Sequence, residues 1–132
     1  SMTLQVNGEN FRDDFDNFYT THEDGHIYLS GKNISATPKL DVVISMFDFP
    51  VNATGVFEGY DYTSSTRSLS VFHNNSTFRS TDWGSKEGEL PSPVFTITEN
   101  TDKFVEGSYS GMVMNSDDEI INVTGTFTIA FE

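Results

Sequence analysis

The sequence predicts an all-β fold, an antiparallel sandwich or flattened barrel of about eight or nine strands. Three observations predict it. Apolar residues keep helical spacing for no more than about two turns at any point. Short apolar runs are broken by clusters of Gly, Asn, Asp and Pro. The C-terminal quarter alternates apolar and polar residues with a period of two, the spacing of a strand with one wet face.

Thr3 to Val6 is the first strand, followed by a turn across Asn7-Gly8-Glu9-Asn10. Phe15 to Thr21 and His26 to Gly31 form a hairpin around Glu23-Asp24-Gly25, where Asp-Gly supplies the positive φ of a tight turn. Leu40 to Phe49 is apolar on both faces, with Val43 and Phe47 on one and Val42, Ile44 and Met46 on the other. Such a strand is central or covered on both sides. Pro50 ends its ladder. Gly55 to Tyr62 and Ser68 to Phe72 follow as strands. Thr77 to Pro93, with Gly84, Gly88, Pro91 and Pro93, is the least regular stretch, and Val94 to Thr98 resumes β structure.

The last two strands are the clearest. In Phe104 to Met114 the odd positions are Val105, Gly107, Tyr109, Gly111 and Val113. In Ile121 to Phe131 they are Ile121, Val123, Gly125, Phe127, Ile129 and Phe131, with Thr124, Thr126 and Thr128 between them. A loop from Asn115 to Glu119 keeps both odd sets on one face. It pairs Tyr109 with Gly125, Gly107 with Phe127 and Gly111 with Val123. Each glycine then meets a larger side chain, and Tyr109 over Gly125 compensates for the weak β propensity of glycine.

The chain of 132 residues has the length of one domain. Ser1-Met2 reads as a two-residue remnant ahead of it. Hydrophobic residues make up 36% and include 12 Phe, enough for a core and too many for a wholly disordered chain. No apolar run approaches the ~18 residues of a membrane-spanning helix. Twenty acidic against seven basic residues give a net charge of −13, which argues against binding to nucleic acid or to anionic membrane surfaces. Cysteine is absent, so disulfides and thiol chemistry are excluded. Asn, Ser and Thr supply 40 residues, a composition that points to an extracellular or cell-surface protein.

Three stretches resemble an uncharacterised family of small Bacteroidetes lipoprotein β-domains. They are Leu4-Gln5-Val6-Asn7-Gly8, the Asp/Ser/Thr-rich middle around Gly59-Tyr60-Asp61-Tyr62, and Val105-Glu106-Gly107-Ser108-Tyr109-Ser110-Gly111 followed by Val123-Thr124-Gly125-Thr126-Phe127. The resemblance spans most of the chain. It implies one antiparallel β-domain on the outer cell surface, carried on a lipid-bearing Cys upstream of this sequence. It brings no catalytic residues with it.

Candidate chemistry falls in three places. Tyr60, Tyr62, Arg79 and Trp83, the only tryptophan, gather aromatic rings and polar neighbours in the middle third. A sugar-binding surface uses that mixture, rings taking the apolar face of the ligand and polar groups its hydroxyls; closure of one end of the core by Trp83 is the competing reading. Asp13, Asp14 and Asp16, and again Asp117 and Asp118, concentrate hard oxygen ligands suited to Ca²⁺. Neither stretch carries the spaced Asp-x-Asp-x-Asp-Gly pattern, and ordinary turn chemistry also accounts for them. With a three-residue loop, His22 and His26 would sit side by side across their hairpin and chelate a divalent metal; two solvated hairpin residues are the alternative.

No nucleophile elbow and no phosphate-binding glycine loop is present, so nothing in the sequence supports an enzyme, and no cofactor is called for. The sequence points to a non-catalytic extracellular or cell-surface binding or accessory domain for a glycan or other polymer, with the rim of Tyr60, Tyr62, Arg79 and Trp83 as its contact surface. An acidic inhibitor or immunity-type protein bound to a basic protein partner is the second reading. A lipocalin-like small-ligand carrier is the third, opposed by the number of inward Phe residues.

Overall fold

The computed structural model describes residues 2–12, 17–23, 26–33, 40–46, 52–58, 67–73, 75–80, 91, 93–101 and 103–130. Every described element is a β-strand: β1 Leu4–Val6, β2 Glu9–Arg12, β3 Asn17–Glu23, β4 His26–Asn33, β5 Leu40–Met46, β6 Gly55–Glu58, β7 Arg67–His73, β8 Ser76–Arg79, β9 Val94–Asn100, β10 Phe104–Met114 and β11 Ile120–Ala130. The all-β antiparallel class read from the sequence is what the chain adopts.

The strands form one curled sheet in the order β2-β1-β11-β10-β8-β7-β5-β4-β3. The sheet forks at β10. Most of that strand, Val105 to Ser110, pairs with β9, which in turn pairs with β6, whereas Met114 at its far end pairs with Arg79 of β8. One limb is therefore β2-β1-β11-β10-β9-β6, and the other runs from β8 to β3. Both contribute to one contiguous core. Leu4, Phe95, Val105, Tyr109, Val123 and Phe127 come from the first limb, and Ile27, Leu29, Val42, Ile44, Leu69 and Phe78 from the second. Large aromatic and branched side chains thus fill the interior. Burying Phe, Leu or Ile contributes roughly 1.5–3 kcal/mol each.

The long C-terminal hairpin has the register its alternation dictates. Tyr109 pairs with Gly125, Gly107 with Phe127 and Gly111 with Val123. The bulk-against-space pairing has a physical purpose at Gly125. A Cβ there would collide with the Tyr109 hydroxyl and the carbonyl oxygen of Thr3. The empty volume lets the phenol cross the strand and donate a hydrogen bond to that carbonyl at 2.6 Å. Because the carbonyl is taken, the Thr126 N–H turns to the Thr3 hydroxyl at 2.8 Å, while the Thr3 N–H donates to the Thr126 carbonyl at 2.9 Å. At the other end of β1, Asn7 Oδ1 accepts the Asn122 N–H at 2.9 Å. Side-chain oxygens thus stand in for backbone acceptors at both ends of the first strand.

β5 is central, flanked by β4 and β7, as its two apolar faces predicted. Three expectations are corrected. Glu9 and Asn10 are not turn residues: Asn7 (φ 50°) and Gly8 (φ 85°) make a two-residue turn, and Val6 pairs with Glu9. Asn-Gly is the preferred pair for such a turn because both residues tolerate positive φ, so the chain returns at once into β2. Thr77 to Arg79 belongs to a strand as well. The β7–β8 hairpin closes at His73–Ser76, with Asn75 at φ 61°. These two strands bring the number among the described residues to eleven. Met2 packs into the fold. It is fully buried and bridges to Phe127. Lastly, the β3–β4 register pairs Glu23 with His26 and His22 with Ile27, so the two histidines do not stand opposite each other. The loop is one residue shorter than a side-by-side arrangement requires.

Candidate functional site

The outer face of β9, β10 and β11 is rich in hydroxyl-bearing residues. The alternation that sends Val105, Tyr109, Val123 and Phe127 inward sends Glu106, Ser108, Ser110, Thr124, Thr126 and Thr128 outward. Antiparallel register lines these up across the strands. Ser108 pairs with Thr96 on one side and Thr126 on the other, and the Thr126 hydroxyl meets that of Thr3 at 3.1 Å. In the next row Ser110 pairs with Thr124, whose hydroxyl donates to Gln5 Oε1 at 3.2 Å. Strand geometry sets such rows ~4.8 Å apart across strands and ~6.7 Å apart along them.

The third row is different. Pairing slips between Glu106 and Gly107: Gly107 pairs with Ile97 and Glu106 with Glu99. A bulge on β9 results, and Thr98 and Glu99 are both exposed before Asn100 turns inward. The Thr98 hydroxyl donates to the Glu106 carbonyl at 3.1 Å, and the Thr128 hydroxyl donates to Glu106 Oε2 at 3.3 Å. Beside the bulge lies an open groove of about 330 Å³, lined by Thr98, Glu106, Gly107, Ser108, Thr126, Phe127 and Thr128. Gly107 has no room for a Cβ, which would strike the Thr96 carbonyl and come within 3.0 Å of the Phe127 ring. The groove therefore offers hydroxyls that donate and accept, and one half-buried carboxylate that accepts.

The residues singled out in the sequence distribute as follows. Tyr60, Tyr62 and Trp83 lie outside the described residues, as do Asp13, Asp14 and Asp16. Arg79 is exposed in β8, between Ser70 and Met114 in register, on a different part of the sheet from the groove. His26 bonds through Nε2 to the Ser45 hydroxyl at 2.9 Å and lies edge-on to Tyr28, with ring centroids 6.4 Å apart, and His22 occupies a neighbouring rung. Asp117 and Asp118 are exposed in the β10–β11 loop. That loop is organised by Asn115, whose Oδ1 accepts the N–H groups of Asp117 at 3.0 Å and Glu119 at 2.9 Å, with Asp118 at φ 61°. Turn chemistry accounts for this acidic run. Among the described residues, no three His, Cys, Asp or Glu side chains converge to hold a metal ion.

Among the described residues two ionisable groups are shifted by burial, and neither is among the side chains lining the groove. Desolvation lowers the pKa of His73 below its usual value. Burial pushes that of Tyr109 well above the usual phenol range. Sequence reasoning missed the groove because it followed aromatic residues. The signal was Thr98-Glu99: two polar residues in succession interrupt the alternation of β9 and betray a bulge. In comparisons with family models, curated proteins and solved structures, nothing matches this chain.

Proposed function

We propose that this chain is a non-catalytic binding module, displayed outside the cell, that holds a glycan or other hydroxylated polymer against the outer face of β9, β10 and β11. The observation that supports this reading is the set of hydroxyl rows bordering a groove on a rigid sheet. Hydroxyls fixed at regular intervals can exchange bound water for the hydroxyls of a ligand at little cost in ordering, because the strands already hold them in place. The resemblance to lipoprotein domains of the outer surface supports the location.

Isothermal titration of the whole chain against a broad panel of oligosaccharides tests the proposal. At least one should bind, and Ser108→Ala combined with Thr126→Val should weaken it by about tenfold, the effect of losing one or two net hydrogen bonds. Binding lost in Trp83→Ala but kept in the double variant would move the site to the rim of Tyr60, Tyr62, Arg79 and Trp83. A panel without binders would overturn the reading.

A second reading, an acidic inhibitor of a basic protein partner, is favoured by the net charge of −13. It requires binding that weakens steeply with salt, and a low-salt pull-down that recovers a basic protein. The carrier reading finds less support, since Phe95, Tyr109 and Phe127 occupy the interior that a ligand would need.

A further inference from the structure

We infer that the second limb carries an esterase site, with Ser45 as the nucleophile and His26 as its general base, acting on acetyl esters of hydroxylated compounds. This goes beyond the binding reading, which concerns the outer face of β9, β10 and β11; the word non-catalytic then belongs to that face alone.

Burial sorts the strands of this limb into two faces. Ile27, Leu29, Val42, Ile44 and Leu69 point into the core, so His26, Tyr28, Ser45 and Ser68 stand on the opposite face, where each is half-buried. Across that face His26 Nε2 and the Ser45 hydroxyl are 2.9 Å apart, within the reach a base needs to take a proton from a nucleophile. Two neighbours bear on the imidazole. Tyr28 lies edge-on to it, with the ring planes at 71°. Glu23 shares its rung as the cross-strand partner on β3. A carboxylate-bearing residue on that rung favours the tautomer with its proton on Nδ1, which leaves Nε2 as the acceptor. Ser45 in turn stands between Tyr28 and Ser68 in register. These partners bound the space beside its hydroxyl, which suits an acyl group as small as acetyl. Strand geometry sets the Cβ of Ser68 ~4.5–5.5 Å from that of Ser45, so a second hydroxyl is at hand for the developing oxyanion. In the reaction the Ser45 oxygen bonds to the ester carbonyl carbon as its proton passes to Nε2. The C–O ester bond breaks and the alcohol leaves with that proton. A water molecule then attacks the acetyl-serine and gives a proton to Nε2, and Ser45 recovers it as acetic acid departs.

The test incubates the whole chain with p-nitrophenyl acetate and, separately, with a fluorophosphonate probe whose point of attachment is found by mass spectrometry. Hydrolysis should exceed the rate in buffer, and the probe should mark Ser45. Ser45→Ala and His26→Asn should each lower kcat by about a hundredfold or more, in proteins whose thermal melts show them folded. Glu23→Gln should lower kcat by about tenfold with KM unchanged, and Glu23→Asp should restore part of the loss, a split that a merely structural role does not produce. Hydrolysis that survives in Ser45→Ala and disappears in His26→Asn would mean attack by the imidazole itself and would overturn the assignment. A probe attached to another serine, or a folded chain with neither labelling nor hydrolysis, would overturn it too. None of these outcomes bears on the titrations that test the glycan-binding reading.

Discussion

Tyr109 shows how much one side chain can fix. Its ring fills the volume left by Gly125, stacks near Phe127 at a centroid distance of 6.5 Å, and its hydroxyl holds the Thr3 carbonyl. Tyr109→Phe should lower stability by about 1–2 kcal/mol, because the carbonyl loses its partner, and Gly125→Ala by about 1–3 kcal/mol through overpacking. Urea unfolding of both variants checks these values. The pH dependence follows from the raised pKa of the phenol. A group held above its unfolded value near 10 contributes stability that is present below that pH and lost as pH rises through the folded value. Thermal melts should therefore show a decline above about pH 10 that Tyr109→Phe flattens. His73 has the opposite sign. Its lowered pKa makes it stabilising, relative to the charged form, above 6.5, and that contribution is lost as pH falls. Ser80 is a third case. Its hydroxyl accepts the buried Leu69 N–H at 3.0 Å while its own N–H donates to the Leu69 carbonyl at 2.9 Å, extending β8 by one rung. Ser80→Ala should cost about 1–3 kcal/mol in the same unfolding measurement, since a buried donor is left unsatisfied.

At the scale of elements, legibility depended on how much of the pairing was written locally. β10 and β11 were readable to the residue pair, because eleven alternating positions on each strand and a short loop admit one register with the apolar set inside. Hydrogen exchange should find its slowest amides there, and Gly107→Ala, which would push against the Thr96 backbone, should loosen β9 from β10. β5 was readable as central for a similar reason, two apolar faces in one run. The short strands were not. β2 spans four residues with no alternation to speak of, and only the Asn-Gly before it announced a hairpin. β8 lay in a stretch judged by its Gly and Pro content, although those residues come after it. The candidate site was less legible than the fold. A groove beside a bulge depends on a slip between two strands, and a slip is a property of the pair. The single-strand pattern shows only its trace at Thr98-Glu99.

For the whole molecule, charge and topology act together. A net charge of −13 on a small domain places like charges close to one another, so the compact state carries self-repulsion. Added salt should screen it, and the melting temperature should rise between about 10 and 150 mM NaCl, opposite to a protein held by surface ion pairs. The topology supplies the other half. Among the described residues the sheet forks, which gives it more than two margins. Among the described residues β2, β3 and β6 each pair on one side only, and Val56 on β6 is 68% exposed. Unpaired backbone along such margins is a template for another copy of the chain. Mutual repulsion between acidic molecules keeps those templates apart at neutral pH. Acidifying a concentrated solution toward the isoelectric point near 4.3 should therefore bring out intermolecular β-sheet, visible as a rise in light scattering with an amide I band of aggregated strands. Acidic composition thus serves as colloidal protection for an architecture that leaves its seams open.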